Sequence, residues 1–116
     1  MIKGIGLDII EIERIKKVNE KEKFRNRILS NRELDAYNKL SEQRKIEYLA
    51  GRFAAKEAYS KANGTGIREG CEFHQIEILN DELGKPTLYF NRQIVKGFVS
   101  ITHSKDYAAA QVILMA

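Results

Sequence analysis

The centre of this chain reads Leu49-Ala50-Gly51-Arg52-Phe53-Ala54-Ala55-Lys56-Glu57-Ala58-Tyr59-Ser60-Lys61-Ala62. When about 100° is counted per residue, one apolar stripe holds Ile46, Leu49, Ala50 and Phe53. Ser41 precedes the segment and can cap a helix, and Gly64 follows it and accepts the left-handed backbone at which helices end. The pattern predicts one long helix from Glu42 to about Asn63.

Two rows of this helix carry charge. Glu57 continues the apolar stripe, where a carboxylate is costly unless it is paired. Either Lys61 pairs with it at i,i+4, or Glu57 holds a cation. A second row contains Lys45, Arg52 and Lys56, and three cations at this spacing suit either a polyphosphate or plain solvent.

Upstream of the helix, the first element has the alternation of a strand. Its two sides differ, with Ile5, Leu7 and Ile9 on one and Gly4, Gly6, Asp8 and Ile10 on the other. We expect the glycines to keep the face around Asp8 open. An acid on such a face suits a metal, and Asp8 with Glu57 would meet the usual need of Mg²⁺ for one or two carboxylates.

Shorter elements flank the long helix. Helical spacing begins near Glu11, a break is expected near Asn19, and helix resumes toward Leu29. Ser30 and Glu33 form a capping-box pattern for a helix that ends near Leu40. Beyond the long helix, alternation predicts strands at 73–79, 87–90, 98–103 and 107–115, with the last two forming a pair. The expected fold is α+β, with an N-terminal strand, helices including one long central helix, and then antiparallel strands, all in a single domain over residues 1–116.

The charge of the chain is concentrated in one stretch. The net charge is +4, and residues 11 to 32 hold eight basic and four acidic side chains, so this stretch accounts for the whole excess. Such a surface either steers an acidic partner or is a solvated helix face. No run of 18 apolar residues predicts a membrane span, the first residues lack a signal-peptide core, and Cys71 is the only cysteine. These features favour a cytoplasmic protein.

Two weaker features lie near the ends of predicted elements. His103 closes a strand, where it is either structural or, beside phosphates, a pH-sensitive donor. Gly64-Thr65-Gly66 could cradle a phosphate with backbone N–H groups, but it lacks the ending of a P-loop.

Taken together, five segments resemble the holo-acyl-carrier-protein synthases of the 4′-phosphopantetheinyl transferase family. They are the segments 4–15, 49–62, 64–66, 84–86 and 99–104, in the order and spacing of that family. Segment 49–62 is the most specific of them. The resemblance implies transfer of 4′-phosphopantetheine from coenzyme A to a serine of an apo acyl carrier protein, with adenosine 3′,5′-bisphosphate as the other product, in the service of fatty acid biosynthesis.

The same resemblance implies roles for particular residues. Asp8 and Glu57 match Mg²⁺ ligands, and Lys61 matches a lysine near the pyrophosphate. The remaining positions expected at coenzyme A are Arg44, Arg52, Gly64, Gly66 and His103. The proton of the serine would pass to a metal-bound water or to Glu57 through a water.

The resemblance also implies partners. Family members suggest a homotrimer with sites at subunit interfaces, and the basic stretch matches the helix on which the carrier protein docks. The docking candidates are Arg14, Lys17, Lys21 and Arg25, which share one side only if the helix is continuous through the expected break.

Three rival functions are compatible with parts of the sequence. A small basic nucleic-acid-binding domain fits the pI of about 9.2, but the chain lacks interleaved aromatic and basic residues and leaves Asp8 and Glu57 unused. We therefore expect neither a nucleic-acid partner nor a membrane. The second rival is a nucleotide-binding relative without activity, and the third is a metal-dependent phosphate hydrolase.

Overall fold

The computed structural model describes residues 1–116, which form four α-helices, six strands and one short 3₁₀ turn. The helices are α1 (Ile12–Val18), α2 (Glu22–Ile28), α3 (Asn31–Asn38) and α4 (Glu42–Asn63). The 3₁₀ turn is Phe73–Gln75, and the strands are β1 (Ile2–Glu11), β2 (Ile76–Asn80), β3 (Pro86–Phe90), β4 (Gln93–Ile94), β5 (Gly97–His103) and β6 (Tyr107–Met115). The predicted α+β class is confirmed.

The strands form two antiparallel sheets of three strands each. One sheet has the order β1-β6-β5 and the other the order β2-β3-β4. In the first sheet β6 is central, and its ladder with β1 runs from the pair Ile2 and Met115 to the pair Glu11 and Tyr107. Helix α4 packs against this sheet along β1 and β6. None of the helices combines the length and the apolar character that a membrane crossing requires.

The helix boundaries follow from local caps. Ser41 Oγ accepts a hydrogen bond from the N–H of Arg44 at 3.3 Å, and Gly64 closes α4 with a φ of +83°. The capping box at α3 is present, because Ser30 Oγ accepts from the N–H of Glu33 while the Glu33 carboxylate accepts from the N–H of Ser30. The expected break near Asn19 separates α1 from α2. These four sequence signals are confirmed.

The predicted strand over residues 73–79 is wrong in its first part. Phe73–Gln75 forms the 3₁₀ turn, and β2 begins only at Ile76. The side chain of Gln75 turns back and accepts a hydrogen bond from the N–H of Glu72 at 2.8 Å. This local contact competes with an extended backbone. The two-residue strand β4 was not predicted.

Glycines bring α4 onto β1, which differs from the open face that the sequence suggested. A Cβ atom at Gly6 would lie 1.7 Å from the carbonyl oxygen of Ala58, and one at Gly4 would lie 2.1 Å from that of Ala62. The space of the missing side chains is therefore filled by helix backbone. This close approach of α4 to β1 places the last turns of the helix next to Asp8.

The other face of β1 is apolar and exposed. Ile5, Leu7 and Ile9 are 56%, 62% and 64% exposed, so the alternation is as predicted, but its aliphatic side points away from α4. Single exposed aliphatic residues are ordinary, whereas a contiguous row marks a contact surface.

A buried ion pair connects α3 and α4, and its carboxylate also contacts β2 of the second sheet. The Lys56 ammonium donates to Glu33 Oε1 at 2.5 Å and to the carbonyl oxygens of Ile28 and Phe73, and both charged side chains are fully buried. The Glu33 carboxylate also accepts from the N–H of Ile78 at 2.9 Å. Burial lowers the pKa of Lys56, and the charge of Glu33 opposes this shift. Lys56 is therefore structural, and the predicted cationic row on α4 does not exist as a surface.

Candidate functional site

Asp8, Glu57 and Lys61 come together where β1 meets the last turns of α4. Lys61 Nζ donates to Asp8 Oδ1 at 3.1 Å and to the carbonyl oxygen of Leu7 at 2.9 Å. The Asp8 side chain is 16% exposed and that of Lys61 is 53% exposed, so the cluster opens to solvent on one side. Of the two alternatives for Glu57, the i,i+4 pair with Lys61 is absent, because the close contact between β1 and α4 gives Lys61 the carboxylate of Asp8.

Glu57 is left without a partner. Its half-buried carboxylate forms no hydrogen bond and no ion pair in the structure. Burial raises the pKa of Glu57, the negative charge of Asp8 raises it further, and Lys61 partly offsets the shift. Two carboxylates that repel each other at a partly buried site form an arrangement that a cation relieves.

The donor set at this cluster fits Mg²⁺. Carboxylate oxygens are hard ligands, and this ion takes one or two of them while it keeps waters and shares substrate phosphates. No group of three or more His, Cys, Asp and Glu side chains has metal-site geometry. A Mg²⁺ site at this cluster would therefore rest on two protein carboxylates, those of Asp8 and Glu57.

Arg44 and His103 meet at a carboxylate that the sequence patterns did not single out. Glu47 Oε1 lies 3.8 Å from Arg44 Nε, and Glu47 Oε2 lies 3.7 Å from His103 Nε2. Arg44 stands in the first turn of α4 and His103 at the end of β5. The i,i+3 spacing of Arg44 and Glu47 could have been seen in the sequence, but the contact with His103 depends on how α4 packs on β5.

Arg52 is held on a different side of α4. It is buried, donates to the carbonyl oxygen of Ile78 at 3.2 Å and to Asn80 Oδ1 at 3.2 Å, and stacks 4.2 Å from the ring centre of Tyr48. Most of its donors are therefore occupied within the protein. Arg52 is not part of the cluster of Asp8, Glu57 and Lys61.

Gly64 and Gly66 form a turn whose N–H groups are already bonded. The N–H of Gly64 donates to the carbonyl oxygen of Lys61, and those of Thr65 and Gly66 donate to that of Ser60. The turn therefore has no free backbone N–H groups at residues 64–66 for the phosphate cradle that the sequence allowed. Both glycines have positive φ, +83° and +70°, and they follow Lys61 closely in the chain.

The four docking candidates divide between two helices. Arg14 and Lys17 are exposed on α1, whereas Lys21 and Arg25 lie at the start and in the body of α2. Arg25 is occupied by Glu22 at 3.0 Å and by the face of the Tyr37 ring. The single continuous helix on which they would share a side is absent, because the chain turns at residues 19–21.

Comparisons with known proteins agree over almost the whole chain. The family model described as the 4′-phosphopantetheinyl transferase superfamily matches residues 4–112. A Geobacillus protein named holo-[acyl-carrier-protein] synthase is 55% identical over 115 residues, which are 98% of this chain and 97% of that one. A protein of the same name from Bacillus subtilis is 54% identical over 116 residues, which are 98% of this chain and 96% of that one.

Solved structures show the same fold. The crystal structure of a holo-(acyl-carrier-protein) synthase from Bacillus anthracis, in complex with CoA (3′,5′-ADP), superposes with a TM-score of 0.87 at 50% identity and covers 98% of this chain and 96% of that one. The crystal structure of the Neisseria meningitidis synthase superposes with a TM-score of 0.90 at 36% identity and covers 100% of both chains. The resemblance found in the sequence is confirmed, and the chain belongs to the holo-acyl-carrier-protein synthases of the 4′-phosphopantetheinyl transferase superfamily.

Proposed function

We propose that this protein transfers the 4′-phosphopantetheine group of coenzyme A to a serine of an apo acyl carrier protein. The serine oxygen attacks the phosphorus that carries the pantetheine arm, the bond to the bridging oxygen breaks, and adenosine 3′,5′-bisphosphate leaves. The observation that carries the proposal is the cluster of Asp8, Glu57 and Lys61 in a chain of this family. We assign the reaction to one domain, residues 1–116, acting in the cytoplasm and in fatty acid biosynthesis.

The cluster supplies the groups that this reaction needs. We propose Asp8 and Glu57 as the residues that hold Mg²⁺, which when bound neutralises and orients the pyrophosphate. Lys61 is a partly exposed cation at the same place, and we propose that it stabilises charge that develops on the departing phosphate. The serine proton can pass to the Glu57 carboxylate through a water.

The nucleotide end of coenzyme A is proposed to lie along α4. Arg44 and His103 can donate hydrogen bonds to phosphates, and the Glu47 carboxylate lies 3.8 Å from Arg44 Nε and 3.7 Å from His103 Nε2. Gly64 and Gly66 offer a surface without side chains beside Lys61. Arg52 is the weakest member of the proposed set, since its guanidinium is buried against β2.

Intact mass spectrometry of an apo acyl carrier protein tests the reaction. With coenzyme A and Mg²⁺, we expect one phosphopantetheine-sized gain that disappears with EDTA. Asp8→Asn and Glu57→Gln should abolish it, and Lys61→Gln should slow it about 10²-fold, the usual loss for one group that stabilises transition-state charge. No gain with a carrier that another transferase modifies would refute the proposal, and release of pantetheine phosphate without a carrier would favour a hydrolase.

The metal site has a test that does not depend on turnover. Mn²⁺ can replace Mg²⁺ at oxygen sites, and its free form is counted by electron paramagnetic resonance. We expect the native protein to bind Mn²⁺ and the Asp8→Asn variant not to bind it. Unchanged binding in that variant would remove Asp8 from the metal site.

We propose a homotrimer in which the exposed row of Ile5, Leu7 and Ile9 is covered. Such a row in water is unfavourable by about 25 cal/mol for each Å² left exposed. Light scattering should give three times the chain mass for the native protein and a smaller mass for Leu7→Lys. Leu83→Lys, at a side chain 95% exposed in the β2–β3 turn, is the matched control and should remain trimeric. A native monomer or dimer would contradict the proposal.

The acidic carrier protein is proposed to dock on the basic surface of α1 and α2. Arg14 and Lys17 have free guanidinium and ammonium groups, so they should contribute more than the occupied Arg25. Arg14→Glu should raise the KM for the carrier protein more than that for coenzyme A. Lys39→Glu, an exposed cation at the end of α3, is the control, and an equal effect of both variants would argue against a docking surface.

A further inference from the structure

A polar cavity lies apart from the cluster of Asp8 and Glu57. It has a volume of about 460 Å³, and nine of its ten lining residues are polar. They come from α2, α3 and the two residues between these helices, and from the 3₁₀ turn, β2 and the β3–β4 turn, while β1 and α4 contribute none. The proposed transfer reaction therefore leaves this cavity without a role.

One cation in the cavity is held rigidly. Arg32 forms a two-point contact with Glu77, Nε to Oε2 at 3.1 Å and Nη2 to Oε1 at 2.6 Å, and its guanidinium lies over the Tyr89 ring. Ser30 Oγ donates to the same carboxylate at 2.6 Å. The charge of Glu77 is thereby satisfied, and Arg32 Nη1 remains without a protein partner. A side chain that is already ordered binds a ligand with less loss of entropy.

A second cation stands on a strained turn. Asn91 and Arg92 join β3 to β4 with φ of +50° and +66°, a conformation for which glycine is the favoured residue at the second position. Arginine there carries backbone strain, because its Cβ crowds the following carbonyl oxygen. Its guanidinium forms no hydrogen bond or ion pair, and the same holds for the imidazole of His74 at the cavity rim. Residues held in sparsely populated backbone conformations cluster at functional sites, ligand-binding sites among them.

We propose that this cavity binds a small phosphate-bearing anion, either inorganic phosphate or a phosphate monoester. Two arginines and one satisfied carboxylate give the lining a net charge of +1 before His74 is counted. Guanidinium groups match the oxygens of phosphate, and the carboxamides of Asn26 and Asn31 add neutral donors. This inference does not depend on the proposed transferase activity.

Histidine NMR of the full-length protein tests the inference, because the chain has only two histidines. His74 reports on the cavity, whereas His103 lies at the end of β5 and does not line it. Inorganic phosphate and glycerol 3-phosphate are titrated separately at constant pH and ionic strength. We expect saturable shifts of the His74 ring resonances with at least one of them, and the tighter of the two identifies the source of the phosphate group.

Arg92→Gly is the decisive variant, since glycine relieves the strained backbone while it removes the guanidinium, and loss of folding cannot explain its result. Its affinity should fall at least tenfold. Lys39→Gln removes one exposed charge elsewhere and should leave the affinity unchanged. The inference is overturned if His74 shows no saturable shift, if only His103 responds, or if Arg92→Gly binds as tightly as the native protein.

Discussion

Gly6→Ala tests the contact between β1 and α4 on which the whole site depends. The added Cβ would lie 1.7 Å from the Ala58 carbonyl oxygen and 2.8 Å from the Ala62 nitrogen. Ordinary contact begins at 3.4 Å, so the strand and the helix must separate by about 1.7 Å. Both neighbours are backbone atoms, so no side-chain rotation relieves the clash. The variant should lose about 3 kcal/mol or more of unfolding free energy, at the upper end of overpacking effects.

Urea unfolding followed by circular dichroism measures this loss. For a slope of about 1–3 kcal/mol per molar, a loss of about 3 kcal/mol lowers the midpoint by about 1–3 M. The separation also moves Lys61 away from Asp8, so carrier modification should fall more steeply than the folded fraction does.

Gly84→Ala is the control for the change of residue type. A Cβ atom added at Gly84 would have no other atom within 4 Å, but the φ of this residue is +83°. The variant should therefore lose only about 1 kcal/mol of unfolding free energy, from backbone strain. If Gly6→Ala lowers the midpoint no more than Gly84→Ala does, then α4 packs less closely on β1 than these distances require.

Three further results are expected. Lys56→Met leaves the Glu33 charge buried without a partner, so urea unfolding should show that the free energy of unfolding falls by about 3–5 kcal/mol. The control Lys45→Met, at a partly exposed ion pair, should lower it by less than about 1 kcal/mol. Equal losses would contradict the structural role of Lys56. The hydrogen bonds from Arg32 lower the pKa of Glu77 in the folded protein. The Glu77 carboxylate therefore stabilises the fold fully above its unfolded-state pKa of about 4.3. This contribution is lost as the pH falls through the lower pKa of the folded state. Thermal melting between pH 3 and 6 should therefore show a weaker pH dependence for Glu77→Gln than for the native protein, and identical slopes would refute this assignment. Carrier modification should slow between about 50 and 300 mM NaCl through a rising KM for the carrier protein; a rate insensitive to salt would argue against docking by charge.

Elements fixed by neighbouring residues were predictable from the sequence. Ser41 and Gly64 bound α4, and Ser30 with Glu33 begins α3, because a cap depends on contacts within about one helical turn. The prediction of a strand at residues 73–75 was wrong, and here too the cause is a contact between neighbouring residues. A local side-chain contact from Gln75 overrode an apolar pattern that fits a strand and a 3₁₀ turn equally well.

The site was predictable in its residue types but not in its pairings. Asp8, Glu57 and Lys61 stand out as charges on otherwise small or apolar faces. That Lys61 bonds Asp8 rather than Glu57 depends on the distance between β1 and α4, which two glycines set. The burial of Lys56 was equally hidden, because its three acceptors come from separate parts of the chain.

The ladder between β1 and β6 has a consequence for biosynthesis. β6 is the central strand of its sheet, yet among residues 1–116 it is synthesised after every other element, whereas its ladder partner β1 is synthesised before them all. Until it emerges, Asp8 has no ladder partner and the apolar side of β1 is exposed without a sheet. Chaperone dependence and co-translational aggregation should therefore respond to the translation rate of the codons for β6 more than to a pause between β1 and β6.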